Sequence, residues 1–352
     1  MSLKLSTLTP IHIGNGMNYT SAEFVVRGDE IIRIDMNKTF TLLDEKNQER
    51  FIQELEQPHA QMEHFIKDIP LSEIKVYSVR LEGGMPVEIR EQIKTGRKAY
   101  IPGSSIKGTI RTAILYNQIN ERNIEKLSRI FDMKYWQRER EIQRFVDGFL
   151  SGAGIPSYSS LLKFLQVADS KPASNLCVYT VKSLEGERSG WRWLKRGGNE
   201  VITHYEMIDA GEELECELRT NYDANIYSDL KLGEKERYID IEELKRCIHE
   251  FSRDLIEHEI EFGERYHIDF LSDFYADLRD KNEENAPVMK VGQGSGFMAM
   301  TIGLKLKKRP EVLEKVKRSL RGKTYPYEFP KTRKIIIEQN LPLGWVQLRV
   351  ED

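Results

Sequence analysis

The stretch Ala99–Tyr116, AYIPGSSIKGTIRTAILY, decides how the rest of the chain is read. Pro102 and Gly103 close a strand-like segment, and Ser104 or Ser105 stands where an N-cap would, ahead of a helix expected from near Ile106. Ile106, Ile110, Ala113 and Ile114 recur at helical spacing and predict its buried stripe. Lys107 and Arg111, four apart, fall side by side on the flank of that stripe, with Ser104 one turn earlier. Free N–H groups, hydroxyls and two cations at one helix start favour an anion, and Gly103 lets a backbone or a phosphate come close. The spacing is not that of a nucleotide-binding P-loop, because Lys107 precedes Gly108 instead of following a glycine directly. Two readings stay open on these residues: a seat for one or two backbone phosphates, or a plain helix cap with a surface Lys/Arg pair.

Outward from this stretch the chain mixes strands and helices without a strict βαβα rhythm, which predicts an α+β fold. SAEFVVRGDEIIRID reads as a hairpin turning at Gly28-Asp29, LKLSTLTPIHIGNG as a strand entering a Gly-Asn-Gly turn, and IKVYSVRL as a further strand. Residues from about Phe40 to Ile66 are polar and helix-prone. SGAGIPSYSS, at 151–160, marks a candidate boundary that divides the chain into 1–155 and 156–352. Strands resume in LLKFLQVADS, LCVYTVKSL and GEELECELRT, where Leu214, Cys216 and Leu218 alternate with charges. Ile241, Leu244, Ile248, Phe251 and Leu255 define an amphipathic helix, and Phe262, Tyr266, Phe270, Phe274 and Leu278 continue a core stripe at spacing four, so that a helical insertion is expected over about 241–282. No internal repeat is visible.

The 352 residues carry a formal net charge of -3, but the charge is segregated. Lys305–Lys334 holds twelve Lys or Arg against three acids, whereas Asp209–Glu284 holds twenty-four acids against ten basic residues. The basic segment is either a surface for a polyanion or a solvated helix face. Cys177, Cys216 and Cys247 are isolated, with no CxxC, so neither a zinc site nor a disulfide framework is expected. MSLKLSTLTP lacks the apolar run of a secretion signal, and no window approaches the roughly eighteen apolar residues of a membrane span. The expectation is a cytoplasmic protein without membrane partner, metal or other cofactor.

VGQGSGF, Val291–Phe297, spaces Gly292, Gly294 and Gly296 alternately around Ser295, leaving bare backbone for a turn or a ligand. WRWLKR interleaves Trp191 and Trp193 with Arg192, Lys195 and Arg196, a composition suited to stacking on bases or to one face of a buried strand. The seven histidines, 12, 59, 64, 204, 249, 258 and 267, form no metal motif, and His249 and His258 are expected on the helix surface. His12 alone adjoins a candidate ligand-facing loop, as a general base or as a backbone hydrogen-bonder. No convincing catalytic constellation emerges.

Taken together, LTPIHIGNG, IPGSSIKGTIRTAILY, LQVADS, GQGSGF, PKTRK and LPLGWVQL resemble the RAMP superfamily of CRISPR-associated proteins, and within it the fifth-subunit family of type III-A Csm effector complexes. The resemblance spans Leu5 to Leu348. It implies ferredoxin-like (RRM-like) modules with helical insertions and an RNA-binding subunit that caps a filament at the guide RNA (crRNA) 3′ end. It further implies support for crRNA maturation and antiviral defence, with neighbouring Csm backbone subunits and a recruited host nuclease as partners. Carried onto this sequence, Gly103, Ser104, Ser105, Lys107, Gly108, Arg111, Gly292, Gly294, Ser295 and Gly296 would face the RNA backbone, with Lys331, Arg333 and Lys334 extending the track. His12 matches the family's HIG without becoming catalytic by that match. A sibling that processes guide precursors with a histidine keeps an alternative alive, a metal-independent endoribonuclease using His12. The aromatic signature of RNA-binding RRM sheets is missing.

Overall fold

The computed structural model describes every residue except 58, 59, 61, 188, 322–328 and 352. His59 and the 322–328 part of the basic segment therefore lie outside the described residues.

Leu3 and Leu5 alternate with Ser2 and Lys4 along the Ser2–Thr7 strand, so one face is buried and the other is wetter. That strand is central in a five-stranded sheet. On one side it pairs with Trp345–Glu351, which pairs with Val288–Lys290; on the other it pairs with Glu213–Thr220, which pairs with Leu165–Val167. Every pairing is antiparallel. Read along the chain, Ser2–Thr7, the Gly103–Gln118 helix, Leu165–Val167, Glu213–Thr220, the Ile241–Arg265 helix and Trp345–Glu351 form a βαββαβ unit with strand order 4-1-3-2. This is the ferredoxin-like arrangement, with Val288–Lys290 added at an edge. Ile106, Ile110, Ala113 and Ile114 of the first helix and Ile248, Phe251 and Leu255 of the second share one core with Leu3, Leu5, Leu214, Cys216 and Leu218 of the sheet.

A boundary between 155 and 156 does not separate two sheets here. The first strand lies between strands from the far end of the chain, because a βαββαβ unit closes only when its last strand docks beside its first. The second sheet likewise draws on both halves. Its main path runs Gly14–Thr20, Glu88–Gln92, Ile202–Ile208, Leu176–Glu187, Lys75–Leu81, Glu30–Ile34 and Phe24–Arg27, and Thr332–Ile336 pairs with the distal part of Leu176–Glu187. The Gly28-Asp29 hairpin forms as expected, pairing Arg27 with Glu30.

Two helical expectations are revised. The polar 40–66 region forms two short helices, Met36–Leu42 and Glu45–Leu55, over a small separate core that includes Phe51, Phe65 and Ile74. The aromatic stripe from Phe262 to Leu278 does not lie on one helix. The chain breaks at Tyr266–Ile268, with His267 at φ 55°, and returns as the Asp269–Lys281 helix packed on its predecessor. Spacing of four survives such a break because both helices bury their apolar faces against each other.

The opening helix begins at Gly103, earlier than Ile106, with Pro102 at the N-cap and no serine cap. The Asp169 carboxylate accepts the Gly103 N–H at 2.8 Å instead. A Cβ on Gly103 would lie 2.2 Å from the Val167 carbonyl oxygen and 2.6 Å from that of Ala168. The close approach read from the sequence is therefore to protein backbone. Replacing glycine by alanine inside a helix ordinarily gains about 1 kcal/mol. Gly103→Ala is expected to reverse that sign and lower the thermal midpoint, and a midpoint equal to or above the parent's would show that the 165–168 segment gives way freely.

Candidate nucleic-acid interface

The glycine-rich loop brings the separate motifs together. It leaves the sheet after Val288–Lys290, and Gly292, Gly294 and Gly296 all adopt positive φ, at 70°, 89° and 68°. A Cβ on Gly292 would lie 2.4 Å from the His12 carbonyl oxygen, which also accepts the Gln293 N–H at 2.8 Å. Ser295 turns its hydroxyl back to the Gly292 carbonyl at 2.8 Å. On the other side Thr109, on the flank of the opening helix, donates to the Lys290 carbonyl at 3.2 Å. One loop thus touches both the HIG turn and the helix that carries Lys107 and Arg111. Ser104 and Gly108 are exposed; Ser105, Lys107 and Arg111 are half-buried. Lys107 and Arg111 have no ion-pair partner among the described residues, and burial lowers the Lys107 pKa.

His12 lies beneath the loop, 3% exposed. Its Nδ1 is 2.7 Å from the Glu206 carbonyl oxygen, and since a carbonyl only accepts, Nδ1 carries the proton. Burial, helped by Lys334, Arg90 and Lys94, pushes its pKa down to about 4. The imidazole is a neutral structural link between the HIG turn and the Ile202–Ile208 strand, and the backbone-hydrogen-bond reading is the one its geometry fits. Glu206 itself is wholly buried, paired with Lys94 at 2.5 Å and accepting the Gln92 N–H at 3.1 Å. Gln92 in turn accepts the Ile13 N–H at 2.8 Å.

The PKTRK track divides residue by residue. Arg333 is corrected: it points inward, 8% exposed, pairs with Glu259 at 2.5 Å and covers the Phe262 ring at 3.9 Å. Strand alternation puts it on the core face, where the buried Glu259 carboxylate needs a counter-charge. Lys331 is bridged to Glu185 at 2.7 Å. Lys334 faces the other way, its ammonium hydrogen-bonded to the Tyr205 hydroxyl, and burial with the nearby Arg90 pushes its pKa down to about 8. The exposed Arg90 guanidinium lies 5.3 Å from the same Tyr205 ring. Neither Arg90 nor Tyr205 lies in a motif; pairing of the Glu88–Gln92 and Ile202–Ile208 strands places them opposite each other.

Much of the basic segment's charge is paired internally over its described length, though Lys308 and Arg318 are exposed and have no ion-pair partner among the described residues. Lys307 pairs with Glu261, Arg309 with Glu121 and Glu125, Lys315 with Asp132 and Lys317 with Glu314. His258, expected outside, is 4% exposed and accepts contacts from Lys307 and Arg333. Trp191 and Trp193 stack edge to face at 5.1 Å and Trp191 reaches Phe270, so both rings serve their own sheet and helix. Among the described residues no group of three or more His, Cys, Asp or Glu could hold a metal ion, and no helix is long and apolar enough to cross a membrane.

A family profile described as the RAMP superfamily matches residues 4–285. The chain belongs to the RAMP superfamily. Its relatives include the CRISPR system Cms protein Csm5 of Methanocaldococcus jannaschii, 23% identical over 392 residues that cover 99% of this chain and 88% of that one. The Streptococcus thermophilus protein of the same name is 33% identical over 192 residues, 49% of this chain and 52% of its own. A chain in the cryo-EM structure of a Csm–crRNA–target RNA ternary complex of a type III-A CRISPR-Cas system superposes with TM-score 0.75 at 26% identity, covering 99% of this chain and all of that one. The crystal structure of T. onnurineus Csm5 superposes with TM-score 0.67 at 22% identity over 97% and 99% of the two chains, a likeness of fold. The fifth-subunit resemblance read from the motifs is matched by relatives of that name, and the α+β RAMP fold by both structures.

The depressed pKa of His12 ties stability to pH. In the unfolded chain the imidazole takes up a proton below about 6.5, whereas in the folded chain it does so only near 4, so stability is full above 6.5 and is lost as pH falls toward 4. The shift corresponds to about 3 kcal/mol. Urea unfolding of the parent and His12→Asn between pH 7 and 4 should give curves whose separation shrinks by that order. Parallel curves would assign the acid sensitivity to other groups.

Proposed function

We propose that this chain is an RNA-binding subunit of a type III-A CRISPR effector complex, gripping guide RNA along the surface where the opening helix meets the glycine-rich loop. The observation that carries the reading is the pair Lys107 and Arg111, half-buried without an acid partner among the described residues, on the helix whose Thr109 contacts the base of that loop. A partly desolvated cation without a counter-ion among the described residues is poised for an anion brought from outside. The likeness to a chain in a complex that contains crRNA and target RNA supports RNA as that anion. At the far end of the loop Gly296, where an added Cβ would meet nothing within 4 Å, leaves room for a sugar–phosphate chain to lie close.

Its place in the assembly follows the family resemblance: the subunit caps the protein filament at the 3′ end of the guide, beside a Csm backbone subunit, and supports crRNA maturation and antiviral defence. Host nuclease recruitment belongs to the same reading. The protein acts by holding and shielding RNA, and His12, buried and neutral, serves as a strut under the grip.

Binding of labelled single-stranded guide RNA over a salt series tests this. Lys107→Gln/Arg111→Gln should weaken binding irrespective of sequence, and the slope of log K against log salt should flatten by about 1.4, at roughly 0.7 per lost phosphate contact. Unchanged affinity and slope would remove this helix from the RNA path.

A further inference from the structure

We propose that Arg90 and Lys334, gathered on the ring of Tyr205, form a seat for one phosphate group, separate from the contacts of the opening helix. The Arg90 guanidinium carbon is 5.3 Å and the Lys334 ammonium 4.8 Å from the Tyr205 ring centroid. The Tyr205 hydroxyl anchors Lys334. Neither cation has an ion-pair partner among the described residues. The acids of the neighbouring strand are spoken for: Glu206 and Glu91 by Lys94, and Glu88 by Asn18. Lys331 and Arg333, in the same short segment, are bridged to Glu185 and Glu259, so Lys334 stands out as the cation left without a carboxylate.

Two like charges that converge repel each other, and an anion between them relieves the repulsion and the hydration lost at the half-buried Lys334. The lowered pKa of Lys334 has those two causes, burial and Arg90. His12 beside them stays neutral, so the excess charge is that of Arg90 and Lys334. The glycine-rich loop packs beside this pair: a Cβ on Gly294 would lie 4.0 Å from that of Lys334 and 3.4 Å from that of Leu343. Arg90 supplies a planar fork and Lys334 a point charge, a pairing that suits phosphate oxygens. The ligand is a phosphate of RNA, either an internucleotide diester or a terminal monoester. The proposal rests on the RNA-binding reading and adds a second, independently testable contact to it.

The test uses the full chain and the single variants Arg90→Gln and Lys334→Gln, with inorganic phosphate and labelled RNA ending in 3′-hydroxyl or 3′-phosphate as probes. The parent's thermal midpoint should rise with inorganic phosphate, and both variants should lose that rise while keeping a phosphate-free midpoint at or above the parent's. RNA affinity should fall about tenfold per variant, the scale of one hydrogen bond to a charged group. An equal fall for both RNA ends assigns the seat to an internucleotide phosphate, and a fall confined to the 3′-phosphate RNA assigns it to the terminus. A phosphate-free midpoint several degrees lower, with the phosphate response intact, would make these residues structural and overturn the seat. If Lys107→Gln/Arg111→Gln weakens RNA binding and these variants do not, the seat fails while the RNA reading stands. If the parent binds no RNA, that reading fails and the phosphate response alone decides the seat.

Discussion

The structure depends on one close approach of backbone to backbone. Gly292 lies against the His12 carbonyl, and Gly344 lies 2.3 Å, measured from where its Cβ would be, from the Val291 carbonyl oxygen. Three hydrogen bonds cross the same point: Gln293 N–H to His12, Val291 N–H to Gly344 and Gly344 N–H to Pro10. Residues from the start, the last third and the end of the chain therefore meet where no side chain fits. The Ser2–Thr7 and Trp345–Glu351 strands enter one sheet from this junction, while Gly14–Thr20 leaves it for the other. These glycines close the ferredoxin-like unit, because protein backbone fills the space their side chains would take.

Charge is distributed according to the same geometry. The sequence is bipolar, yet much of that polarity is consumed internally, since the basic Pro310–Arg321 helix and its approach meet acids of the Glu121–Phe131 and Ile241–Arg265 helices. Exposed pairs of this kind each add little stability, but they tie up much of the segment's charge. The charge that remains near the loop is small in number and well placed: Lys107 and Arg111 on one side, Arg90 and Lys334 on the other. The proposed binding surface rests on where the unpaired cations sit relative to the loop, and a count of lysines does not find it.

Much of this was legible in the sequence. Ile106, Ile110, Ala113 and Ile114 are buried as their spacing requires, and Leu214, Cys216 and Leu218 point into the core as their alternation requires. These are local periodicities, and local chemistry fixes them. The three glycines of VGQGSGF announced a special backbone. What the sequence concealed was non-local. Asp169 caps a helix that begins sixty-six residues earlier. Arg333 and Lys334 are neighbours in a basic run, yet strand alternation sends one to Glu259 and the other to Tyr205. Arg90 belongs to no motif and gains meaning only from the strand beside it. Both sheets draw strands from either side of residue 155 for the same reason, because sheet closure joins the ends of the chain.

The central claim, that RNA lies on the junction of the opening helix with the glycine-rich loop and not on the basic helix, is tested most directly by site-specific photocrosslinking. A photoreactive phenylalanine placed singly at Ser104, at Met300 just beyond the loop, or at Leu320 on the basic helix would replace residues whose side chains are all exposed. Irradiation of the complex with labelled guide RNA should give crosslinks from positions 104 and 300 and little from 320. Strong crosslinking from 320, with none from 104 and 300, would contradict the account.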